Sequence, residues 1–157
     1  MILIIFMDLS AELKFRMRMI KKKNIIVKII DEGEGFKEKD KYLINGIENR
    51  IEQIIANLLD NSISFSKNGS GIFVNVSNNL DKEISVKIID EGEGFKEKDT
   101  SRIFNRFYSN RPEKFGEHSG LGLNIVKNLV DLHDGEIEAF NRPDGNGAII
   151  EIKFPGI

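Results

Sequence analysis

A glycine-rich turn leads directly into an amphipathic helix over residues 115–133, FGEHSGLGLNIVKNLVDLH. Gly120 and Gly122 bracket Leu121 at the position where the helix must begin. Small residues there let backbone N–H groups approach a ligand, and the helix dipole with its unpaired first-turn donors favours a phosphate. The same Gly-x-Gly pattern also occurs as a simple tight turn, so this stretch alone leaves both interpretations open.

The helix that follows carries a regular apolar stripe. Ile125, Val126, Leu129 and Val130 recur at the i, i+1, i+4, i+5 spacing of one buried helical face. We therefore predict that these four side chains face the protein core and that the following Asp-Gly pair ends the helix.

Composition restricts the function classes. The chain has 157 residues, enough for one domain with a substantial core, and a net charge of -2. No basic field therefore argues for binding to nucleic acid or to an anionic membrane. The lack of cysteine excludes disulfides and thiolate metal sites and suits a reducing compartment.

The apolar residues 1–6, MILIIF, are far fewer than the roughly 20 that a membrane span needs. We expect a first strand there, or the trimmed end of a longer chain.

Hydrophobic periodicity predicts two further helices and a set of strands. The predicted helices are residues 8–23 and 47–66, and the predicted strands are residues 24–30, 42–46, 72–77, 84–90, 136–140 and 148–154. The clearest helix is 47–66, whose apolar face consists of Ile47, Ile51, Ile54, Ile55, Leu58 and Leu59. Residues 95–115 are polar and contain a proline, so we predict a lid that is anchored by Ile103, Phe104 and Phe107.

One string occurs twice in the chain. The run VKIIDEGEGFKEKD at residues 27–40 returns letter for letter at residues 86–99. Two packed repeats would also need similarity outside the run, and almost none is visible. A recent local duplication or an engineered graft therefore explains the identity better than two working sites. We predict that the first copy forms a strand at a sheet edge, followed by an exposed and mobile connection at residues 33–39.

Polar residues at a helix edge and at a strand end are candidates for a ligand site. Asn57 and Asn61 are i, i+4 neighbours, about 40° apart on their helix. A carboxamide oxygen can bind Mg²⁺, which takes few protein ligands; an asparagine that only satisfies local hydrogen bonds is the alternative. Asp90 ends a strand just before Gly92 and Gly94. Its carboxylate either accepts the exocyclic amine of adenine, with the glycines leaving room for the base, or only ends the strand.

Four short motifs, taken in order, resemble the boxes of the sensor histidine kinase ATP-binding domain. They are NLLDN at 57–61, DEGEG at 90–94, IFNRFY at 103–108 and GEHSGLGL at 116–123. They are similar to the N box, the first glycine box, the F box and the second glycine box. This domain belongs to the ATPase superfamily that also contains gyrase, a heat-shock chaperone and a mismatch-repair protein. The stretch FYSNRP with HSGLGL is especially similar to a subgroup of bacterial envelope-sensing kinases.

The resemblance implies both a fold and a set of site residues. The fold is a two-layer α/β (α+β) sandwich of the Bergerat type, a mixed and mostly antiparallel sheet covered on one face by helices. Asn61 would bind Mg²⁺ with Asn57 beside it, these being the two catalytic positions, and Asp90 would bind adenine. The other expected ATP contacts are Gly92, Gly94, Phe104, Phe107, Arg106, Arg111, Gly120, Leu121 and Gly122.

Two departures from the family pattern affect the expected chemistry. Many members carry a basic residue where Ser64 stands, so a phosphate contact is missing or is supplied by Arg106 or Arg111. The hydrolases of the superfamily place a water-activating glutamate where this chain has Asn57. Without that base, phosphoryl transfer is favoured over hydrolysis.

The resemblance therefore implies the catalytic ATP-binding domain of a two-component sensor histidine kinase. Such a domain transfers the γ-phosphate of ATP to a histidine on a separate dimerisation domain and acts indirectly on a response regulator. His118 and His133 are interpreted as structural residues. We expect one domain over residues 1–157, with an atypical part at 1–44 and a family-like core at 45–154. The expected setting is the cytoplasmic portion of a membrane-bound kinase, with no nucleic-acid partner and no direct membrane contact. The rival interpretation is a catalytically silent nucleotide-binding or engineered chimeric module.

Overall fold

The computed structural model describes residues 2–5, 26–31, 42–78, 83–96, 99–108 and 120–157. Within these ranges the strands are β1 (Ile2–Ile5), β2 (Ile26–Asp31), β3 (Tyr42–Asn45), β4 (Gly71–Asn78), β5 (Ile84–Asp90), β6 (Glu136–Asn141) and β7 (Ala148–Phe154). The helices are α1 (Glu48–Phe65), a short 3-10 helix (Thr100–Phe104) and α2 (Gly122–Leu132). In these ranges no helix is long and apolar enough to cross a bilayer. The predicted helix 8–23, the predicted mobile connection 33–39 and His118 lie outside the described residues.

The main sheet has five strands in the order β2-β4-β5-β7-β6. β2 runs parallel to β4, and the other neighbours are antiparallel. β1 and β3 form a separate antiparallel pair, and Gly156 bridges to Ile44 of β3. The prediction of a mixed, mostly antiparallel sheet is confirmed. The edge position predicted for the strand of the first repeated string is also confirmed, because β2 is the terminal strand of this sheet.

One face of the sheet packs against the helices. Buried and half-buried residues alternate strictly along β5 and β7, as expected for strands with one covered face. The buried strand residues join Ile54, Leu58 and Leu59 of α1 and Val126 and Val130 of α2 in a single core. Truncating a fully buried residue of this core, such as Leu58, would cost about 2–5 kcal/mol. The two-layer α/β sandwich predicted from the sequence is confirmed.

Two isoleucines that the periodicity predicts to be buried are exposed. Ile47 is 46% exposed because the helix begins one residue later, at Glu48, and Ile47 keeps an extended backbone (φ -97°, ψ 110°). Ile125 is 36% exposed. The buried face of α2 is centred on Val126 and Val130, and Ile125 is rotated by about 100° from Val126 around the helix axis. Both predictions of burial are therefore wrong, and each apolar face is narrower than expected.

The predicted lid divides into a core part and an exposed part. Ile103 and Phe104 are buried in the core cluster, so the 3-10 helix is a core element and these two anchors are confirmed. Phe107 is 74% exposed, and its prediction as an anchor is wrong. It lies in a turn with a φ of 64°, in which Tyr108 N donates to Asn105 O over 3.3 Å. This turn directs the Phe107 ring away from the core.

His133 joins the end of α2 to the start of α1. The backbone N–H of Ile47 donates to His133 Nε2 over 3.1 Å, and His133 Nδ1 lies 2.6 Å from Leu129 O. Because Nε2 accepts, the neutral ring carries its proton on Nδ1 and donates it to Leu129 O. The side chain is buried, and the ring meets Phe154 edge-on with centroids 6.3 Å apart. These contacts confirm the structural role predicted for His133.

Candidate functional site

Asp90 is a buried carboxylate at the end of β5, with 5% of its surface exposed. Its Oδ1 accepts the backbone N–H of Gly92 over 2.9 Å and of Ala148 over 3.1 Å, and the Ser62 hydroxyl donates to the same carboxylate. Burial raises the pKa of Asp90 above its ordinary value, while these hydrogen bonds and the charge of Arg142 act in the opposite direction. The result is an acceptor with a fixed orientation on a rigid strand end.

The last turns of α1 supply one wall around Asp90. Leu58, Leu59 and Ser62 are buried at the i, i+1, i+4 positions of the core-facing side of the helix. Asn57 and Asn61 are half-buried on its flank. Asn61 directly precedes Ser62 in the chain, so its side chain is turned by about 100° around the helix axis from that of Ser62.

Ser64 stands where many members of the resembled family carry a basic residue. Here Ser64 Oγ donates back to Asp60 O of its own helix over 2.7 Å. A hydroxyl that is bonded in this way is directed along the helix, so Ser64 does not replace the missing basic side chain.

Two glycines allow the backbone to pack tightly around Asp90. A Cβ on Gly92 would lie 2.9 Å from Phe65 O, and a Cβ on Gly147 would lie 2.0 Å from Asp90 O. Gly147 also has a φ of 115°, which L side chains rarely adopt. The β6–β7 turn can therefore reach the strand end only because residue 147 lacks a side chain.

Asn141 fixes the chain that leaves the carboxylate. Its Oδ1 accepts Phe95 N over 2.6 Å and its Nδ2 donates to Phe95 O over 2.9 Å. This side chain replaces a strand partner for residue 95. Gly94 is packed against the same amide, since a Cβ on it would lie 2.6 Å from Asn141 Oδ1.

A second cluster forms at the start of α2. Gly122 is the first helical residue, and Leu121, the N-cap, makes no side-chain capping hydrogen bond. A Cβ on Gly122 would meet nothing within 4 Å, whereas a Cβ on Gly120 would lie 2.9 Å from Tyr108 O. The backbone at Gly122 is thus open, and its first-turn N–H groups have the geometry to receive an anion.

The residues before the undescribed part of the lid lie against this helix start. Asn124 Nδ2 donates to Phe104 O over 2.9 Å. The Arg106 guanidinium lies 5.8 Å from the centroid of the Phe107 ring. Arg111 lies outside the described residues.

A shallow hollow in the described part of the protein lies away from these clusters. It has a volume of about 430 Å³, and its walls include Phe73, Ile89 and Ile149. These residues alternate with the core-facing positions of their strands, so the hollow lies on the other face of the sheet. None of the predicted site residues lines it.

Comparison with known proteins gives a family. Residues 46–156 match the family described as Histidine kinase-, DNA gyrase B-, and HSP90-like ATPase. The chain belongs to this family. The sensor protein ChvG of Agrobacterium fabrum is 38% identical over 137 residues, which are 85% of this chain and 23% of that protein. The sensor protein KdpD of Clostridium acetobutylicum is 43% identical over 107 residues, which are 67% of this chain and 12% of that protein. The chain thus spans less than a quarter of each of these relatives.

The fold of this ATPase family member also matches a solved structure. The catalytic domain of histidine kinase ThkA superposes with a TM-score of 0.81 over 99% of this chain and 94% of that chain, at 21% identity. Together the comparisons confirm the resemblance to the catalytic ATP-binding domain of sensor histidine kinases that the four motifs indicated.

The structure brings some of the predicted site residues together in two clusters. Asp90 and Gly92 lie together, and Asn57 and Asn61 lie on α1, the helix that carries Ser62. The second cluster contains Gly120, Leu121, Gly122, Phe104, Phe107 and Arg106. α1, which supplies one wall of the first cluster, packs against α2, which begins in the second. The contacts of these residues with ATP and Mg²⁺ remain predictions.

Sequence reasoning missed four residues around Asp90. Ser62 carried a usable signal, because it stands four residues after Leu58 on the buried face of α1. Asn141, Gly147 and Ala148 had none, since they are remote in sequence and meet the carboxylate or its following loop only through the pairing of β5 with β7. For the turn before β7, the sequence predicts only a connection between two strands.

Proposed function

We propose that this chain is the catalytic ATP-binding domain of a sensor histidine kinase, and that it transfers the γ-phosphate of ATP to a histidine on a separate dimerisation domain. The observation that carries the proposal is the buried Asp90 carboxylate. It is oriented by two backbone N–H groups and lies within the segment that matches the ATPase family. A protein that only needed to end a strand would gain nothing from burying an acid there.

Asp90 is the proposed adenine-binding residue. An ionised carboxylate only accepts hydrogen bonds, so it suits the exocyclic amine of adenine and not the carbonyl that guanine presents at the same position. Gly92 is a proposed backbone contact of the nucleotide, and its close packing on Phe65 leaves no space for a side chain at this position. Asp90 is buried and its carboxylate is therefore shielded from water, which strengthens each hydrogen bond that it accepts.

Asn61, with Asn57 one turn earlier, is the proposed Mg²⁺ position. No group of three His, Cys, Asp or Glu side chains in the described ranges could hold a metal ion. Carboxamide oxygens on α1 fit Mg²⁺, which keeps water and phosphate oxygens in its shell. When bound, Mg²⁺ supplies positive charge for the phosphates. Asn57 cannot act as a general base for water, and this favours transfer over hydrolysis.

The start of α2 is the proposed phosphate position. Backbone N–H groups near Gly120, Leu121 and Gly122 would bind phosphate oxygens, and Arg106 or Arg111 would supply the positive charge that Ser64 does not. Phe104 places the lid, and Phe107 would close over the nucleotide from its exposed position. Gly94 remains a proposed backbone contact, although its packing on Asn141 already explains the glycine.

The partners and setting follow from the proposed activity. The partner would be the dimerisation domain that carries the phosphoacceptor histidine, with a response regulator acting downstream, on the cytoplasmic side of the membrane. A solved structure of histidine kinase ThkA is a complex with the response regulator protein TrrA.

We also propose that residues 1–157 form one domain. The match to the ThkA catalytic domain over 99% of the chain and the pairing of β2 with β4 support this.

Two measurements test the proposal. Isothermal titration should show one Mg-ATP bound per chain, with GTP binding at least tenfold more weakly. Incubation with radiolabelled ATP and a supplied dimerisation domain from a matched relative should label that domain, with no label when its histidine is replaced. Binding without labelling would leave a silent nucleotide-binding module, and a lack of Mg-ATP binding would overturn the proposal altogether.

A further inference from the structure

Asn124 makes the side-chain contact between the helix start and the root of the lid. It stands in the first turn of α2 and is half-buried. Its Nδ2 donates to Phe104 O over 2.9 Å. Phe104 is the last residue of the 3-10 helix, where carbonyl groups have no partner within the helix. Asn124 therefore caps the end of one helix from the beginning of another.

A backbone contact holds the next part of the lid against the same helix start. Gly120 has a φ of 64° and is packed so closely that a Cβ would lie 2.9 Å from Tyr108 O and 3.0 Å from Phe107 C. The segment from Phe104 to Tyr108 is thus fastened at both of its ends to residues 120–124. Between these two points lies Arg106, which is exposed.

We propose that Asn124 is a positioning residue for the phosphates of ATP. By fixing Phe104 O, it sets where the lid leaves the core, and it thereby holds Arg106 and the open N–H groups of the helix start on the same side of the nucleotide. Groups that are fixed before binding stabilise charge without having to reorganise. This inference rests on the proposed function, and it adds a residue that lies outside the four motifs.

The side chain must be a carboxamide for this role. Phe104 O is an acceptor, so the group that faces it has to donate. Leucine has the same branched skeleton of heavy atoms as asparagine but cannot donate a hydrogen bond, and it is favourable in helices. Asn124→Leu therefore removes the hydrogen bond without removing volume or adding charge. Asn128 cannot serve as the control, because its Nδ2 donates to Asn124 Oδ1 over 3.4 Å. The matched control is Asn49, an exposed asparagine in the first turn of α1.

The experiment measures the affinity for Mg-ATP and for adenosine in wild type, Asn124→Leu, Asn124→Ala and Asn49→Ala. We expect both Asn124 variants to bind Mg-ATP about tenfold more weakly while their affinity for adenosine stays within about twofold. Adenosine reports on the Asp90 cluster, which does not involve Asn124. We also expect faster hydrogen exchange at residues 100–108 in both variants. Asn49→Ala should match wild type in every measurement.

The outcomes separate the inference from the proposed function. If wild type does not bind Mg-ATP, the proposed function and this inference both fall. If wild type binds and Asn124→Leu binds Mg-ATP equally well, only the inference is overturned. Equal losses for Mg-ATP and adenosine would also overturn it, because Asn124 would then act on the fold as a whole and not on the phosphates.

Discussion

Asp31 and Asp90 end two strands that share the sequence VKIID, yet they lie towards opposite ends of β4. Asp31 pairs in register with Val76, whereas Asp90 pairs with Ile72. The reason is direction, because β2 runs parallel to β4 and β5 runs antiparallel to it. At about 3.3 Å per residue, the two register positions are roughly 13 Å apart along the strand. One string thus ends in two different places.

The first prediction follows from this geometry. Asp31→Asn should leave the affinity for Mg-ATP within error. Asp90→Asn should lower it by roughly tenfold or more, about 1.4 kcal/mol, because the amide presents N–H towards the adenine amine. Calorimetry on both variants checks this. GTP serves as the control ligand, since its weak binding should change little in either variant. A comparable loss from Asp31→Asn, or two nucleotides bound per chain, would mean that both copies form sites.

The second prediction concerns Ser62 and pH. The Ser62 hydroxyl favours the ionised form of Asp90, and only that form accepts the adenine amine. Ser62→Ala should therefore raise the pKa of Asp90 further and move the acid loss of ATP affinity to higher pH. The affinity measured from pH 4 to pH 8 in wild type and variant reports the shift. Superimposable profiles would show that the hydroxyl does not act on Asp90.

The raised pKa of Asp90 also determines how the stability of the protein should depend on pH. The folded state holds the proton more tightly than the unfolded state, whose ordinary value is 3.8. The contribution of Asp90 to the free energy of unfolding is therefore greatest below 3.8 and decreases as the pH rises through the raised value. Asp90→Asn should remove this decrease. Urea denaturation of wild type and of Asp90→Asn, from below pH 3.8 to neutral pH, measures the difference.

The third prediction concerns Asn61. Asn61→Ala should weaken Mg-ATP binding by a few kcal/mol through loss of a contact to a charged group. It should abolish transfer and leave the melting temperature nearly unchanged, because Asn61 is only half-buried. ATP binding in the presence of EDTA is the control and should be the same in both proteins. Unchanged Mg-ATP affinity would remove Asn61 from the proposed site.

The fourth prediction compares two glycines of the β6–β7 turn. A Cβ at residue 147 would collide with Asp90 O, whereas a Cβ at Gly145 would meet nothing within 4 Å. Both residues have positive φ. Gly145→Ala should cost about 1–2 kcal/mol of stability from backbone strain alone. Gly147→Ala should cost about 3 kcal/mol or more, since overpacking is added. Denaturant unfolding of both variants measures the difference, and equal costs would contradict the collision.

Local signals sufficed for much of the fold. The apolar stripe of α1 and the alternation along β4, β5 and β7 each depend on residues that are close in the chain. The spacing of their apolar residues is therefore enough to predict a helix or a strand. The two misplaced isoleucines lie at the limits of such stripes. Ile47 stands where a helix begins and Ile125 at the side of a buried face, and burial there depends on what packs against the helix.

The site was predictable only in part, because its members are brought together by strand pairing. Asp90 and the glycines near it stand in one motif and can be recognised. The backbone N–H of Ala148 donates to Asp90 from the next strand in the sheet, and nothing in the sequence around Ala148 predicts that hydrogen bond. Phe107 shows the opposite case, since an aromatic residue in a motif suggested an anchor while the turn around it exposes the ring.

The two hydrogen bonds of His133 prevent its ring from acting as a nucleophile towards a phosphate. To attack a phosphorus atom, an imidazole must offer an unshared nitrogen lone pair to its substrate. In His133 that lone pair, on Nε2, is occupied by the N–H of Ile47, and the other nitrogen donates to Leu129 O. Phosphorylation of this ring would require the first turn of α1 to come away from it. A domain proposed to modify histidine on a partner thus keeps its own buried histidine chemically silent.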